Sequence, residues 1–191
     1  MPAPTISADQ AYELIRSSEA RLIAVDGLPC SGKSTLVAGL GIECMPMDDF
    51  FLPPSEWPSG IVPAFPFPFY RYQTFLSAVE KLAVSGSCEY LPFEWERMEV
   101  SQRARRVDLA AGPVVVEGTS SLHPRITPLY DCRFFVESHE ATVLQAVLER
   151  DGDYFENEWR TLWLPSTAIY METNPRSRAD FLIAGRGMFH E

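Results

Sequence analysis

The sequence predicts an α/β fold, in which a parallel five-stranded sheet carries helices on both faces and a small lid. Two observations lead to this prediction. Short apolar runs alternate along the chain with segments of helical periodicity, which is typical of strands joined by crossover helices. The 191 residues are 46% hydrophobic and contain no internal repeat, so we expect a single domain over residues 1–191.

The N-terminal segment is predicted to be a loose leader, residues 1–6, followed by a small amphipathic helix. Ser7 and Gln10 have the spacing of a capping box, in which two side chains satisfy backbone groups at a helix start. An apolar stripe with helical spacing follows, made of Ala11, Leu14 and Ile15.

Five short apolar runs are predicted to be the strands of the sheet, because they are too short for helices and are followed by turn or polar residues. They are residues 22–25, 44–47, 114–117, 134–136 and 181–184. Three segments between them are predicted to be helices. The second and third have apolar residues on one helical face. Gly39 and Gly41 keep the first helix short, and Gly86 ends the second. The three segments are residues 34–40, 72–84 and 142–150.

Two long connections lack the apolar periodicity of the predicted strands and helices. Residues 89–106, which lie between them, receive no secondary-structure assignment. Residues 51–71 combine six prolines with six aromatic residues, which excludes a regular helix or central strand. This segment is interpreted as an acceptor flap beside a ligand site, and a surface segment or partner-docking segment is the alternative. Residues 150–178 are interpreted as a helical lid.

Composition limits the functional classes. The net charge of −10 argues against a general binder of nucleic acid or of membrane surfaces, although one basic loop can still hold a phosphate. No stretch is apolar enough to span a bilayer, and the N-terminus lacks a signal core. Four scattered cysteines, without a C-x-x-C pair, are read as reduced thiols, so a cytoplasmic protein is expected.

Eight consecutive residues after the first predicted strand, Gly27 to Ser34, fit the phosphate-binding P-loop pattern G-x-x-x-x-G-K-[ST]. The two glycines let the backbone curl so that its N–H groups point at phosphate oxygens. Lys33 would add a mobile charge for the β- and γ-phosphates, and the Ser34 hydroxyl would ligate Mg²⁺. The predicted phosphate site comprises Gly27, Leu28, Pro29, Cys30, Ser31, Gly32, Lys33, Ser34 and Thr35.

Three carboxylates follow predicted strands. Asp48 and Asp49 come after the second strand, and Glu117 ends the third. The carboxyl ends of parallel strands line the ligand crevice of an α/β sheet. Asp48 could therefore accept the proton of a substrate hydroxyl or hold Mg²⁺, and Glu117 could hold Mg²⁺. The alternative to a functional role for Asp48 and Asp49 is that they belong to a solvated turn or cap a helix. The alternative for Glu117 is that its carboxylate ends a strand in solvent.

Stabilising a transferred phosphoryl group requires cations besides Lys33. The predicted lid offers four candidates, Arg150, Arg160, Arg176 and Arg178. Arg150, at a helix end, is preferred as a catalytic residue, and an ordinary surface charge is the alternative for each. Three histidines show no spacing typical of a metal site or triad, namely His123, His139 and His190.

The P-loop together with Met47-Asp48-Asp49-Phe50-Phe51 and Val115-Val116-Glu117-Gly118 resembles the uridine kinase / phosphoribulokinase family of P-loop kinases. Relatives in that family include uridine–cytidine, nicotinamide riboside and bacterial pantothenate kinases. Tyr154-Phe155 with Trp159 is similar to the lid of the riboside kinases. The chain departs from the family in its short helix after the P-loop and in Glu149-Arg150-Asp151, where uridine kinases carry several arginines.

The resemblance implies a three-layer P-loop NTPase fold and transfer of the γ-phosphoryl group of ATP, with Mg²⁺, to a hydroxyl of a small molecule. It makes Asp48 the catalytic base and Glu117 a residue that helps to hold Mg²⁺. Four residues are expected to contact the acceptor, namely Asp49, Phe50, Tyr70 and Arg97.

The first hypothesis for the acceptor is a nucleoside or riboside. Pantothenate, glycerate and a sugar phosphate are alternatives, and so is a nucleotide-binding module without turnover. Residues 51–70 contain no Lys or Arg, which disfavours a sugar phosphate. The GTPase patterns D-x-x-G and N-K-x-D are missing in the expected places. We expect a monomer or homodimer with ATP and the acceptor as partners.

Overall fold

The computed structural model describes residues 3–185, which fold around one main sheet. The strands are, in chain order, β1 (Thr5–Ile6), β2 (Leu22–Gly27), β3 (Glu43–Pro46), β4 (Ser87–Tyr90), β5 (Phe93–Glu94), β6 (Glu99–Val100), β7 (Arg105–Asp108), β8 (Val114–Glu117), β9 (Cys132–Glu137) and β10 (Phe181–Ala184). The α-helices are α1 (Ala8–Ser17), α2 (Lys33–Leu40), α3 (Tyr72–Ser85), α4 (Glu140–Asp151), α5 (Glu156–Glu158) and α6 (Leu164–Glu172). Each predicted strand and helix is present.

The main sheet contains six parallel strands in the order β1-β10-β9-β2-β8-β3. Strand β2 lies in its interior, and all six of its residues are buried. Ile23 and Val25 pack with α1 and α2 on one face, whereas Leu22 and Ala24 pack with α3 and the lid on the other. This alternation follows from the period of two residues in a strand. The predicted layers are thereby confirmed.

The predicted count of five strands is wrong, because Thr5 and Ile6 form the sixth strand within the expected leader. They pair with Leu182 and Ile183, and the Leu182 N–H donates to the Pro4 carbonyl over 2.9 Å. A two-residue edge strand is too short to produce a periodic signal in the sequence. The start of the expected leader, residues 1–2, lies outside the described residues, and so does His190.

The unassigned residues 89–106 fall in two small antiparallel strand pairs, β4 with β7 and β5 with β6. The segment 51–71 is irregular as predicted, but it is packed. Phe67 and Phe69 are buried and stack with their ring centroids 5.4 Å apart. The Leu52 N–H donates to the Phe69 carbonyl over 2.9 Å, which ties the two ends of the segment together.

The predicted lid is helical over most of its length. Between α5 and α6 the backbone forms a π-helix, Trp159–Trp163, in which the Leu164 N–H donates to the Trp159 carbonyl. Pro165 follows and has no N–H for the ordinary helical bond, which favours this local widening. Trp159 and Trp163 are buried against the rest of the domain. Among residues 3–185, no helix combines the length and the apolar character needed to cross a membrane.

A fully buried carboxylate, Asp26, joins three parts of the chain at the end of β2. It accepts hydrogen bonds from the N–H groups of Gly27 (2.6 Å), Leu122 (2.7 Å) and Ser120 (3.1 Å). The hydroxyl of Tyr170 in α6 donates to the same carboxylate. Burial raises the pKa of Asp26, and the four donors oppose that change. The P-loop, the loop after β8 and the lid helix are therefore linked through one side chain.

This network predicts a difference between two buried tyrosines. Tyr170→Phe removes a bond to a charged group and should lower the free energy of unfolding by about 1.5–3 kcal/mol. Tyr130→Phe is the matched control, because the buried Tyr130 hydroxyl has no hydrogen-bond partner within residues 3–185. Its removal should leave stability unchanged or raise it. Urea unfolding measures both, and an equal loss in the two variants would contradict the role of Asp26.

Candidate active site

The P-loop connects β2 to α2 and has the backbone geometry that its glycines allow. Gly27 has φ +147°, and a Cβ atom there would lie 2.3 Å from the Val136 carbonyl oxygen. Gly32 has φ +105° and occupies the N-cap position of α2. The loop therefore packs directly against β9, and its N–H groups and the N-terminus of α2 can bind an anion.

Lys33 and Ser34 begin α2 on the floor of this loop. Lys33 is 6% exposed, and its Nζ donates to the Leu28 carbonyl over 2.7 Å. The Ser34 hydroxyl lies 3.5 Å from Oε1 of Glu117 at the end of β8. Burial raises the pKa of Glu117, while the nearby Lys33 charge lowers it. The structure thus brings the Lys33 cation and the Ser34 hydroxyl close to the carboxylate of Glu117, which lies 83 residues beyond Ser34 in the sequence.

Gly118 has no side chain, and this lets the turn that carries Asp48 lie close to the end of β8. It has φ +146°, and a Cβ atom there would lie 2.6 Å from the Cβ of Met47. Asp48 and Asp49 belong to a short 3₁₀ turn, Met47–Phe50, rather than to the end of the strand as the sequence suggested. Asp48 accepts a hydrogen bond from the Tyr70 hydroxyl over 2.6 Å. Burial and the Asp48 charge raise the pKa of Tyr70, so this phenol stays a donor.

Two neighbouring cavities meet at this point. The P-loop cavity, about 580 Å³, is lined by residues 30–35 together with Glu117 and parts of β10. The aromatic cavity, about 540 Å³, is lined by nine aromatic side chains together with Asp48, Thr119, Arg150, Asp151 and Thr167. The nine aromatic residues are Phe51, Phe67, Phe69, Tyr70, Trp95, Tyr154, Phe155, Trp159 and Trp163.

Four residues line both cavities and define what we call the shared rim: Asp48, Tyr70, Thr119 and Arg150. Arg150 is bonded to Asp151, with Nη2 2.8 Å from Oδ2, and the hydrogen bond raises the pKa of Arg150. The Trp159 indole N–H donates to the same carboxylate over 3.0 Å. Arg150, the preferred lid arginine, thus lies where the two cavities meet.

The other lid arginines are used elsewhere in the fold. Arg160 pairs with Glu156, and Arg176 pairs with Glu137. Arg178 donates to the carbonyls of Leu122 and Thr173. None of these three arginines lines either cavity.

The expected acceptor residues divide into two groups. Tyr70 lines both cavities, but Asp49, Phe50 and Arg97 line neither. Asp49 points to the β4–β7 pair, where it accepts from Tyr90 over 2.8 Å and from Arg105 over 2.9 Å.

Phe50 and Arg97 are likewise engaged away from the cavities. Phe50 is fully buried, with its ring centroid 4.5 Å from that of Tyr90. Arg97 is 65% exposed and pairs with Glu99. In the P-loop, residues 30–35 line the cavity, and Gly27, Leu28 and Pro29 form the turn that leads to it.

Sequence reasoning missed several residues of the site. Asp26 lies just after the predicted strand 22–25 and received no role, although a charged residue between an apolar run and the P-loop glycine can signal a buried network. Thr119 follows the Glu117-Gly118 pair, and its hydroxyl donates to the Gly27 carbonyl over 2.9 Å. Trp95 and Trp163 come from the hairpin and the lid, and only the tertiary fold brings them to one cavity.

The oxygen atoms beside the P-loop are suitable ligands for Mg²⁺ that is bound together with phosphates. Ser34 and Glu117 offer oxygen atoms, which Mg²⁺ prefers, and Asp48 lies on the shared rim. Within residues 3–185, no group of three or more His, Cys, Asp or Glu side chains could hold a metal by itself. Mg²⁺ in kinases uses one or two carboxylates plus substrate phosphates, so these residues fit that mode.

The fold and this site define a protein of the α/β class with a P-loop between β2 and α2. No family model matches the sequence, and no curated protein matches it either. A candidate fructose transport system kinase from a Silicibacter species is similar in structure, with 22% identity, a TM-score of 0.73, and coverage of 93% of this chain and 98% of that chain. A possible uridine kinase from Bacillus stearothermophilus has 18% identity, a TM-score of 0.71, and coverage of 92% and 96%. These likenesses confirm the predicted α/β fold, which this chain shares with both proteins.

The cysteines provide a test of nucleotide binding. Burial raises the pKa of Cys44 to about 12 and that of Cys132 to about 11, so both stay protonated at pH 8 and react slowly. Cys30 lines the P-loop cavity. We expect iodoacetamide at pH 8 to label Cys30 first, and Mg·ATP at ten times its Kd to slow that labelling about tenfold. Peptide mass spectrometry measures the rates, and labelling of Cys30 that nucleotide does not slow would contradict the site.

Proposed function

We propose that the protein is an ATP-dependent kinase that transfers the γ-phosphoryl group to a hydroxyl of a small molecule. The observation that carries this proposal is the position of Asp48, on the shared rim between the P-loop cavity and the aromatic cavity. A carboxylate between a phosphate site and a second cavity can accept the proton of a hydroxyl that attacks the phosphoryl group. The kinase names of the similar structures support the same conclusion.

The P-loop residues bind and orient the nucleotide in this proposal. Backbone N–H groups of residues 30–35 and the Lys33 ammonium neutralise the phosphates. Ser34 and Glu117 are the residues that would hold Mg²⁺, which supplies charge neutralisation when it is bound with ATP. Lys33 exchanges its bond to the Leu28 carbonyl for phosphate oxygens, since both lie within reach of its flexible stem.

Asp48 takes the proton of the acceptor hydroxyl as that oxygen attacks the γ-phosphorus and the bond to the leaving ADP oxygen breaks. The Tyr70 hydroxyl donates to one oxygen of Asp48, which leaves the other oxygen for the acceptor. Arg150 can stabilise the charge on the transferred group, because it lines both cavities. It must first share or release its bond to Asp151.

The acceptor in this proposal carries a planar ring, as a nucleoside or riboside does, because aromatic side chains form most of the second cavity. Arg150 is the single Lys or Arg that lines the aromatic cavity within the described chain, and Asp151 neutralises it. A doubly charged sugar phosphate would find little compensation there. A nucleotide-binding module without turnover remains the second candidate, because of this paired arginine.

The decisive experiment measures ADP release from Mg·ATP with a panel of nucleosides, ribosides, vitamins and simple alcohols. At least one acceptor should release ADP well above the rate without acceptor. Lys33→Ala is the control, and it should abolish turnover while the fold remains intact, since Lys33 bonds only within the loop. ATP binding by the wild type without ADP release on any acceptor would favour the binding module. Equal ATP affinity and rate in Lys33→Ala would contradict the whole proposal.

The two adjacent aspartates should differ in their kinetic effects. Asp48→Asn should keep ATP binding and lose about 10²–10⁴-fold in kcat, because it removes the general base. Asp49→Asn should lose less in kcat, because Asp49 bonds Tyr90 and Arg105 rather than the cavities. Measurement of kcat and KM for both variants with the best acceptor distinguishes them. A dead Asp49 variant beside a nearly normal Asp48 variant would mean that the roles are reversed.

A further inference from the structure

The P-loop cavity extends well beyond the shared rim, and the order of the strands gives its direction. Asp48 and Glu117 follow β3 and β8 on one side of the P-loop, and Ile183 to Gly185 lie at the end of β10 on the other side. Strands β3 and β10 are four strand spacings apart, which is about 19 Å. One end of the cavity therefore lies at the shared rim, and the other end lies at β10.

Helix α1 closes the end of the cavity at β10. Strand β1 pairs with β10 through Ile6 and Ile183, and the capping box of Ser7 starts α1 directly afterwards. Ala8 and Tyr12 lie four residues apart on one face of α1, and both line the cavity. The N-terminal strand and helix thus carry an aromatic ring to this end of the P-loop cavity.

A glycine in α2 allows the ring of Tyr12 to lie across that helix. A Cβ atom at Gly39 would lie 2.4 Å from the Tyr12 hydroxyl oxygen and 2.9 Å from Cζ of its ring. Thr35 lines the cavity four residues before Gly39, which is about one helical turn along the same face of α2. The ring of Tyr12 therefore lies next to the P-loop, about one turn farther along α2.

The proposed kinase function determines which half of ATP lies at each end of the cavity. The γ-phosphate must lie at the shared rim, because Asp48 and the acceptor hydroxyl meet it there. Residues 30–35 bind the phosphates beside β2. The adenosine half then extends in the remaining direction, toward the ends of β9 and β10 and toward α1.

We propose that the adenosine half of ATP binds between α1 and the end of β10, where it packs against the ring of Tyr12. This inference rests on the proposed kinase function for the orientation of the nucleotide. Leu36, Val136 and Ile183 offer apolar contacts, and Tyr12 is the one aromatic residue of the described chain that lines this end of the cavity. Tyr12 is only half-buried, so part of its surface is accessible to a ligand.

Calorimetry with two ligands tests this contact. Mg·ATP carries the adenosine half, and Mg·tripolyphosphate has the same chain of phosphates without it. Tyr12→Ala should weaken ATP binding by about tenfold and leave tripolyphosphate binding unchanged, because it removes a surface that only adenosine contacts. Tyr12→Phe keeps the ring and should retain most of the affinity for ATP.

A control variant in the same helix separates this contact from an indirect effect on α1. Leu14→Ala shortens a half-buried side chain of α1 that does not line the P-loop cavity, so ATP should bind as it does to the wild type. Unchanged ATP affinity in Tyr12→Ala, an equal loss for tripolyphosphate, or an equal loss in Leu14→Ala would overturn the proposal.

Gly39→Ala provides a second test that uses ATP alone. The added methyl group overlaps with the Tyr12 hydroxyl, so the ring must move and ATP should bind more weakly. In the Tyr12→Ala background the same substitution should leave ATP affinity unchanged, because the overlap is gone and α2 itself accepts alanine. An equal effect in both backgrounds, or no effect in either, would overturn the proposal.

These measurements are independent of phosphoryl transfer. If Tyr12→Ala weakens ATP binding selectively but no acceptor yields ADP, the inference about Tyr12 holds and the kinase proposal fails. If an acceptor yields ADP while Tyr12→Ala binds ATP as tightly as the wild type, the kinase proposal holds and the inference about Tyr12 fails.

Discussion

The buried carboxylate of Asp26 is the interaction on which the arrangement of the site depends. A charge enclosed in protein needs donors on every side, since an uncompensated one costs several kcal/mol. Its donors come from the first residue of the P-loop turn, the loop after β8 and helix α6. If the P-loop moved away from the end of β8 or from α6, the carboxylate of Asp26 would lose some of its hydrogen-bond donors while it stayed buried.

The order of the strands explains why the residues of the candidate site lie together at one edge of the sheet. Strand β8 lies between β2 and β3, so the P-loop, Glu117 and the turn with Asp48 follow three neighbouring strands. The glycine after Glu117 allows that turn to approach, because a side chain at Gly118 would overlap with Met47. In this fold, backbone packing largely sets the separation of the carboxylates from the P-loop, and the C-terminal end of α4 contributes Arg150 to the same cavity.

Much of this arrangement was open to prediction from the sequence. The P-loop, the apolar strands and the helical stripe of α3 are local patterns, and each depends on neighbouring residues alone. The sixth strand, the partners of Asp49 and the walls of the aromatic cavity depend on contacts between distant segments. Phe50 illustrates the limit, because it was expected to contact the acceptor, whereas the 3₁₀ turn leaves its ring fully buried in the core. Arg97 was likewise expected to contact the acceptor, but the turn between β5 and β6 leaves it exposed and paired with Glu99.

The apolar wall beside Asp48 has a further consequence for the proposed enzyme when no acceptor is bound. A general base next to a phosphate site can also activate a water molecule, which would hydrolyse ATP without a product. Water near Asp48 on the aromatic side meets rings such as Phe67 and Phe69, which cannot hold it in an attacking position by hydrogen bonds. The same walls that would receive the acceptor therefore limit futile hydrolysis, so that turnover is tied to the presence of the alcohol.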